Sequence, residues 1–488
     1  MSILRRAISL FMVAVLAVGL TACGSTGANT DADASYREPY KEKDTGNSTN
    51  TTDFVDTDGD FDYKTVEWSG PSGYVIVVPA GDSKAKETAE YLQDYYTRVH
   101  NVTLKIVTDS SAKKDKEIII GKTNRTKASK LAEGDIKVSL QGEKLVFEGG
   151  HEVTTEAAVK RFTRLLPDVN QAFTFEISTD FVSTPAVTGL EDYEYVWGDE
   201  FEDWYDIDYA KWHFRIGMGS YKDAMISTDR DVIDVSDGRL KLHAINYFDR
   251  EKEGICFKMP YSVATSETMN FLYGYIEIRA RVPFFNGVWP SFWGTTATGV
   301  YERNPLWHAE VDVFEIFGNE NTVAPNIHKW YDAYDYKGIY GADGSHTQYS
   351  SATHPKTSYK FENYDKLDTE YHTYGYEWTQ KEINMYVDGE KYMTFDIVNS
   401  FDLEKDMSMF HEPQYSQFNC HLFTSGNNYK PKIYDENIDL LPACYYIDHY
   451  RVYQKKDGKS KIWTDTSGKE TANNANRVKE VSVGSAQG

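Results

Sequence analysis

The chain has 488 residues and is strongly acidic, with 75 aspartate and glutamate residues against 52 lysine and arginine residues and a formal net charge of −23. Nucleic acid binding requires a basic surface that neutralises phosphates, so this charge excludes nucleic acid as an expected partner. The length favours two or three domains. Hydrophobic residues make up 40% of the chain, which is enough for a sizeable core.

The first 23 residues have the features of an export signal. Arg5 and Arg6 precede the apolar run AISLFMVAVLAVGL, which is typical of a signal peptide and too short for a membrane span. The run ends in Leu-Thr-Ala-Cys, which resembles the bacterial lipobox and so implies a diacylglyceryl group on Cys23. We therefore predict a lipoprotein signal peptide at 1–23 and an extracellular protein, lipid-anchored at Cys23 to the bacterial cell membrane surface. An ordinary secreted protein is the alternative.

Composition and periodicity divide the rest of the chain into a linker and two domains. Residues 24–60 are rich in Gly, Ser, Thr, Asn and Asp, as in TGNSTNTTD, and are predicted to form a flexible linker. Residues 61–185 alternate strands such as YVIVV with helices, and one helix places Ala85, Ala89, Leu92, Tyr96 and Val99 on one side. This pattern predicts a small α/β accessory domain.

Residues 190–455 change to short strands separated by turns, with almost no helical periodicity. In YGYIEIRARV the apolar residues from Ile276 to Val282 alternate with polar ones that include Arg279. Asp388-Gly389 within INMYVDGEKYMTF is a strong hairpin signal. The fold class is therefore predicted as an all-β jelly-roll (concanavalin-like) sandwich, preceded by the small α/β domain. Residues 456–488 are predicted to be a polar tail.

The cysteine content argues against a fold held by disulfides. If Cys23 carries lipid, then Cys256, Cys420 and Cys444 remain, and an odd number in an exported chain allows one disulfide at most. The candidate pair is Cys420 with Cys444.

The stretch LWHAEVDVFEIFG, residues 306–318, places three acids in an apolar strand. Alternation puts Glu310 and Asp312 on one face, but Glu315 falls out of phase with them. A β-bulge at residues 313–314, with both opposing one partner residue, would return Glu315 to the face of the other two. We therefore predict a bulge that aligns three carboxylates.

Burying a carboxylate in a strand costs free energy unless the group is paired with a partner or has a function. Two carboxyl groups on one face suit a retaining glycosidase, in which one is the nucleophile and the other the proton donor. A cation site and purely structural acids are the other interpretations of the same residues, and the pattern alone leaves them open.

The motif AEVDVFEIFG resembles the Glu-x-Asp-x-x-Glu signature of glycoside hydrolase family 16, in its bulged laminarinase-like form. Collinear stretches resemble other parts of the same family: YVWGDEFED, VSDGRLKLHA, YGYIEIRARVPFFNGVWPSFW, YHTYGYEWTQKEINMYVDG and YYIDHYRVYQ. The resemblance implies that Glu310 is the nucleophile and Glu315 the acid/base. It implies that Asp312 lies between them and hydrogen-bonds the nucleophile.

The resemblance also implies further site residues. Predicted substrate-binding residues are Trp289, Trp293, Trp307, His328, Arg279 and Asn419. Many family members carry a structural calcium, for which Gly238 and Asp448 are the corresponding positions here, and oxygen ligands would suit that ion. No cofactor is expected for catalysis.

The function implied is a monomeric, retaining endo-β-glycosidase that hydrolyses a β-linked polysaccharide, with β-1,3- or β-1,3-1,4-glucan favoured. The sequence departs from the family after the later hairpin, where PQYSQFNCHLFTSGN keeps Asn419 but replaces the usual small residues. An endo-β-galactanase, a transglycosylase and a non-catalytic glycan-binding lipoprotein are the alternatives.

Overall fold

The computed structural model describes residues 62–68, 70–164, 166, 173–180, 190–203, 207–215, 220–221, 224–266, 268–297, 307–317, 322–331, 346–350, 359–360, 366–397, 408–423, 433 and 435–464. By contact the chain divides into two units, Met1–Thr49 and Asn50–Gly488, and the described ranges all belong to the second. The predicted signal peptide, the lipidated Cys23 and the linker at 24–60 lie outside the described residues and stay predictions. Within the described ranges, no helix has the length and apolar character needed to cross a membrane.

An α/β domain comes first, as predicted from the alternation of strands and helices. The elements are β1 Asp62–Trp68, β2 Val75–Val78, α1 Ser83–His100, β3 Lys105–Thr108, β4 Glu117–Ile120, β5 Ile136–Gln141, β6 Lys144–Gly149, α2 Glu152–Arg164 and β7 Phe173–Asp180. Strands β3, β2, β4 and β6 are parallel neighbours, β5 pairs antiparallel with β6, and β1 pairs with β7 separately. Asp82 caps α1 by accepting a hydrogen bond from the Ala85 backbone N–H.

The rest of the described chain is almost entirely β. Its first strands are β8 Tyr193–Asp199, β9 His213–Arg215, β10 Ser220–Tyr221, β11 Ala224–Ile226, β12 Ile233–Ser236, β13 Arg239–Asp249, β14 Gly254–Met259, β15 Ser262–Ala264, β16 Asn270–Leu272, β17 Gly274–Arg281 and β18 Val288–Thr296. The later strands are β19 Trp307–Glu315, β20 Thr322–Tyr331, β21 His346–Ser350, β22 Tyr359–Lys360, β23 His372–Trp378, β24 Glu382–Val387, β25 Glu390–Asp396, β26 Gln414–Leu422, β27 Ala443–Lys455 and β28 Lys461–Trp463. A short helix, α3 Lys366–Thr369, and two 3₁₀ helices, Ser408–His411 and Asp435–Leu440, complete the elements.

These strands form two sheets with a shared apolar core, which confirms the predicted sandwich class. The eleven-stranded sheet runs β10-β11-β14-β13-β27-β17-β23-β24-β25, with β12 and β8 attached. The ten-stranded sheet runs β21-β20-β19-β18-β26-β15-β9, with β16, β22 and β28 attached. Strands β17 and β19 each send alternate side chains into the core, including Ile278 and Val311, which are fully buried.

The predicted hairpin is present between β24 and β25. Asp388 and Gly389 both have positive φ, 49° and 77°, the conformation of a type I′ turn that joins twisted strands. Two local predictions differ from the structure. The sandwich continues beyond residue 455 because β28 pairs with β16 and Trp463 is buried, so the polar tail does not begin at 456. Cys420 and Cys444 are free thiols, so the proposed disulfide is wrong.

Candidate active site

The pairing of β19 shows where its alternation breaks. On β20, Asp312 lies opposite Asn326 and Glu315 lies opposite Ala324, so three steps along one strand match two along the other. The register therefore shifts at residues 313–314, which together face one partner residue. The predicted β-bulge is confirmed.

The bulge places the three acids on the outward face of the ten-stranded sheet. Their apolar neighbours on β19 point the other way and are buried in the core: Ala309, Val311, Val313, Phe314 and Ile316. Asp312 is 3% exposed, whereas Glu310 and Glu315 are half-buried and keep contact with solvent. We call this outward face, defined by Glu310, Asp312 and Glu315, the site face.

His328 lies on β20 directly opposite Glu310. Its Nε2 is 3.1 Å from Oδ2 of Asp312 and 3.7 Å from Oε1 of Glu310. The imidazole therefore contacts the two carboxylates of one strand from the neighbouring strand, and its predicted role in substrate binding stays a prediction. The ligand atoms of these three residues lie within 4.8 Å of one another, a geometry that would also admit a divalent ion.

Glu315 contacts an aromatic side chain of β18. The Trp289 indole Nε1 donates a hydrogen bond to Oε1 of Glu315 at 3.1 Å. Phe423 stacks on this indole at a centroid distance of 4.9 Å and an interplanar angle of 12°, and Phe317 and His421 pack against it at 5.4 and 5.3 Å. Trp289 is thus fixed by three rings with its single donor aimed at one carboxylate.

Asn419 connects two residues of β18 at the same face. Its Oδ1 accepts hydrogen bonds from the Ser291 hydroxyl and from the Trp293 indole, both at 2.7 Å. Trp293 is half-buried and lies opposite Asp312 in the β18–β19 ladder. The structure therefore brings Trp289, Trp293 and Asn419 to the site face, and their predicted contacts with substrate stay predictions.

Some residues of this face were not predicted from the sequence. On β26, His421 and Gln417 lie opposite Trp289 and Trp293. The Gln417 side chain accepts a hydrogen bond from Ser262, and the His421 ring donates to the Tyr261 carbonyl from Nε2 at 2.7 Å. Counting in twos from Asn419 would have found both, because alternate residues of a strand share a face.

Two predicted substrate residues stand apart. Trp307 begins β19, but its side chain lies outside the described part of the chain. The prediction for Arg279 is wrong: it lies on β17 in the eleven-stranded sheet and points away from the core on the opposite side of the sandwich. Its guanidinium is 4% exposed and lies 3.3 Å from the Asp448 carboxylate. The alternation of β17 was correct, but alternation does not tell which of the two sheets a strand joins.

The predicted calcium residues do not fit a calcium ion. A β-carbon at Gly238 would lie 2.6 Å from Nη2 of Arg164, so a guanidinium is packed against that turn. Oδ2 of Asp448 lies 3.3 Å from Nη1 of Arg279 and 3.4 Å from Nδ1 of His449. A guanidinium thus lies beside each position, and the carboxylate nearest Gly238, that of Glu202, is already paired with Arg164, whereas calcium requires six to eight oxygen ligands.

Part of the chain is similar in sequence to known glycoside hydrolases. Residues 221–417 match the family model described as Glycosyl hydrolases family 16. The chain is 25% identical over 310 residues to a glucan endo-1,3-beta-glucosidase A1 of Niallia circulans, covering 59% of this chain and 41% of that protein. It is 26% identical to a beta-glucanase of Rhodothermus marinus, covering 54% and 85%, and 23% identical to a keratan-sulfate endo-1,4-beta-galactosidase of Sphingobacterium multivorum, covering 59% and 61%. The chain thus spans less than half the length of the first of these relatives.

The two-sheet fold defines the class as a β-sandwich, and the three acids of its bulged strand form the candidate active site. Residues 221–417, which match the family 16 model, include all three acids of the site face.

Proposed function

We propose that this protein is a retaining, endo-acting β-glycosidase whose substrate is a β-1,3- or β-1,3-1,4-glucan. The observation that carries the proposal is the bulge in β19, which brings Glu310, Asp312 and Glu315 to one face. Without the break in strand register, Glu315 would point to the opposite face. The alignment of all three acids therefore depends on a specific irregularity of β19. The two half-buried glutamates flank the buried aspartate, so both can reach a substrate that lies across the face.

In the first step, a carboxylate oxygen of Glu310 attacks the anomeric carbon. The glycosidic C–O bond breaks, and the leaving oxygen takes the proton of the Glu315 carboxyl group, giving a glycosyl-enzyme ester. His328 of β20 lies 3.1 Å from Oδ2 of Asp312 and 3.7 Å from Oε1 of Glu310, so it holds the nucleophile in position together with Asp312.

In the second step, the ionised Glu315 removes a proton from water, and the resulting oxygen attacks the anomeric carbon. The ester bond breaks, and Glu310 leaves as a carboxylate. Two displacements at the same carbon retain its configuration. If a sugar hydroxyl replaces water in this step, the product is longer than the substrate instead of shorter.

The preference for glucan is supported by the relatives named as glucan endo-1,3-beta-glucosidase and beta-glucanase. The relative named as a keratan-sulfate endo-1,4-beta-galactosidase supports the galactan alternative at similar identity. Trp289 and Trp293 are half-buried aromatic residues beside the acids and provide apolar ring faces for a sugar.

The proposal is tested by incubating the protein with laminarin, mixed-linkage β-glucan, agarose and mucin glycans, and by sizing the products over time. We expect short oligosaccharides of several lengths from a β-glucan early in the reaction, with the β-anomer formed first in proton NMR. If only agarose or mucin glycans give products, the substrate is a galactan and the proposed glucan specificity is wrong. Products longer than the substrate would identify a transglycosylase, and binding without products would leave a glycan-binding protein.

A substitution of Trp289 by Phe tests the contact between β18 and Glu315. Phenylalanine keeps an aromatic ring on which Phe423 can stack, but it lacks the indole N–H that donates a hydrogen bond to Glu315. A hydrogen bond to a charged group is worth about 1.5–3 kcal/mol, so we expect kcat on the polysaccharide to fall by roughly 10- to 100-fold. The fall should be smaller on an aryl glycoside whose leaving group needs no proton.

Trp293→Phe is the matched control. It also removes an indole N–H, but this N–H donates its hydrogen bond to Asn419 and not to a catalytic acid. For this variant we expect the same relative change on both substrates, mainly in KM. If Trp289→Phe and Trp293→Phe respond alike to the leaving group, the Trp289 contact has no part in proton transfer.

A further inference from the structure

The outward face of the eleven-stranded sheet, opposite the site face, carries charged residues that are nevertheless buried. Glu277, Arg279 and Arg451 are all less than 5% exposed, although they point away from the sandwich core. We call the outward side of this sheet, with the residues of β8, β17 and β27 and of the turns beside it, the back face. Charged groups are rarely buried without partners, so something must cover this face.

The α/β domain covers part of it. A β-carbon at Gly134 would lie 2.5 Å from Nη1 of Arg451 and 2.7 Å from the Tyr453 hydroxyl, so the backbone at Gly134 lies directly against these side chains of β27. His151, just before α2, stacks on Tyr195 of β8 at 4.7 Å. Val153 of α2 packs against a cluster of buried tyrosines on the back face that includes Tyr195.

Helix α2 supplies cations to this interface. Glu202, which follows β8 and is 3% exposed, accepts a hydrogen bond from Nε of Arg161 at 2.7 Å and another from Nε of Arg164 at 3.2 Å. Lys160 pairs with the adjacent Asp203. Three basic residues of one helix thus meet two consecutive acids of the sandwich.

Arg164 also lies against one of the two positions predicted to bind calcium, and the charge of Arg161 acts on the other. The Arg164 guanidinium packs against the Gly238 turn. Burial opposes ionisation of Asp448, but the hydrogen bond from His449 and the positive charges of Arg279 and Arg161 hold its pKa well below the usual range. Side chains of the protein itself therefore supply the positive charge beside Gly238 and Asp448.

We propose that Arg161 and Arg164 of the α/β domain take the place of a structural cation at the back face and lock the two domains together. The α/β domain is then an integral part of the folded hydrolase and not an independent accessory module. A guanidinium offers a planar fork of donors that fits carboxylates, and two of them on one glutamate make a fixed contact where a divalent ion would be exchangeable. The inference does not depend on which glycan is the substrate.

The test compares the melting temperature of full-length variants by calorimetry, each in EDTA and in millimolar CaCl₂. We expect the unmodified protein to melt at the same temperature in both. Arg161→Gln/Arg164→Gln should melt roughly 4–8 °C lower, because Glu202 is left buried without its partners. Adding Glu202→Gln to that variant should recover about half of the loss, since the unpaired charge is then removed.

Arg98→Gln is the matched control, because Arg98 is an exposed α1 residue whose ion pair with Asp94 is made within one helix. It should melt within about 1 °C of the unmodified protein. A melting temperature that rises with CaCl₂ or falls with EDTA in the unmodified protein would overturn the proposal. So would a double variant that melts like the control. Neither outcome depends on catalysis, so the proposed glycosidase activity stands or falls separately.

Discussion

Glu310→Gln should lower kcat/KM on the polysaccharide by roughly 10³- to 10⁵-fold, the range typical of a lost covalent nucleophile. Glutamine has nearly the same shape and can occupy the same space beside His328, but its amide cannot form the glycosyl ester. The melting temperature should change little, because the Glu310 side chain is 20% exposed and is not part of the core. Initial rates of reducing-end release, with the melting temperature in parallel, measure both quantities.

The intermediate itself provides a second measurement. A 2-deoxy-2-fluoro glycoside with a good leaving group slows the second step, so the unmodified protein should gain the mass of one glycosyl group. Glu310→Gln should gain none. Glu390→Gln, an exposed glutamate on the β24–β25 hairpin of the other sheet, is the control and should keep full activity and full labelling. Labelling of Glu310→Gln at the normal rate would rule out Glu310 as the nucleophile.

Glu315→Ala should lower the rate on the polysaccharide by about 10²- to 10⁴-fold, since no group then protonates the leaving oxygen. With an aryl glycoside of low leaving-group pKa the first step needs no proton, so the glycosyl-enzyme should form quickly and accumulate. The observable result is a burst of released phenol followed by slow turnover.

Azide separates the role of Glu315 from general damage to the site. It is a nucleophile that needs no base, so it should restore turnover of the aryl glycoside in Glu315→Ala and yield the β-glycosyl azide. The same azide should have no effect on Glu310→Gln. An α-glycosyl azide from Glu315→Ala, or a β-glycosyl azide from Glu310→Gln, would contradict the assignment of the two glutamates.

The arrangement of the three acids was predictable because it depends on counting along a single strand. Side chains of a strand alternate between faces, and one extra residue reverses the alternation. The spacing of Glu310, Asp312 and Glu315 therefore predicted a bulge between Asp312 and Glu315. The type I′ hairpin at Asp388-Gly389 was predictable for a similar reason, because few residues tolerate positive φ. These features depend on nearest neighbours in the chain.

The contacts across strands were harder to predict. The ring contacts of Trp289 with Phe423 and His421 depend on the β18–β26 pairing, which brings together residues more than 130 positions apart in the chain. No local pattern gives the register of such a pair. The resemblance to a known family indicated Trp289 and Asn419, but it did not indicate which of their atoms meet which partners.

The sequence alone determined the strands, the bulge and the carboxylates, and with them the chemistry that we propose. Only the tertiary structure decided which outward face of the sandwich each strand presents. Arg279 and Glu310 both point away from the core, but they lie in different sheets and so face opposite sides of the sandwich. Both sheets have the same alternation of core-facing and outward-facing residues, so the alternation does not tell which sheet a strand joins. The same long-range packing brings Arg161 and Arg164 of α2 to Glu202, where no periodicity or motif predicted a contact.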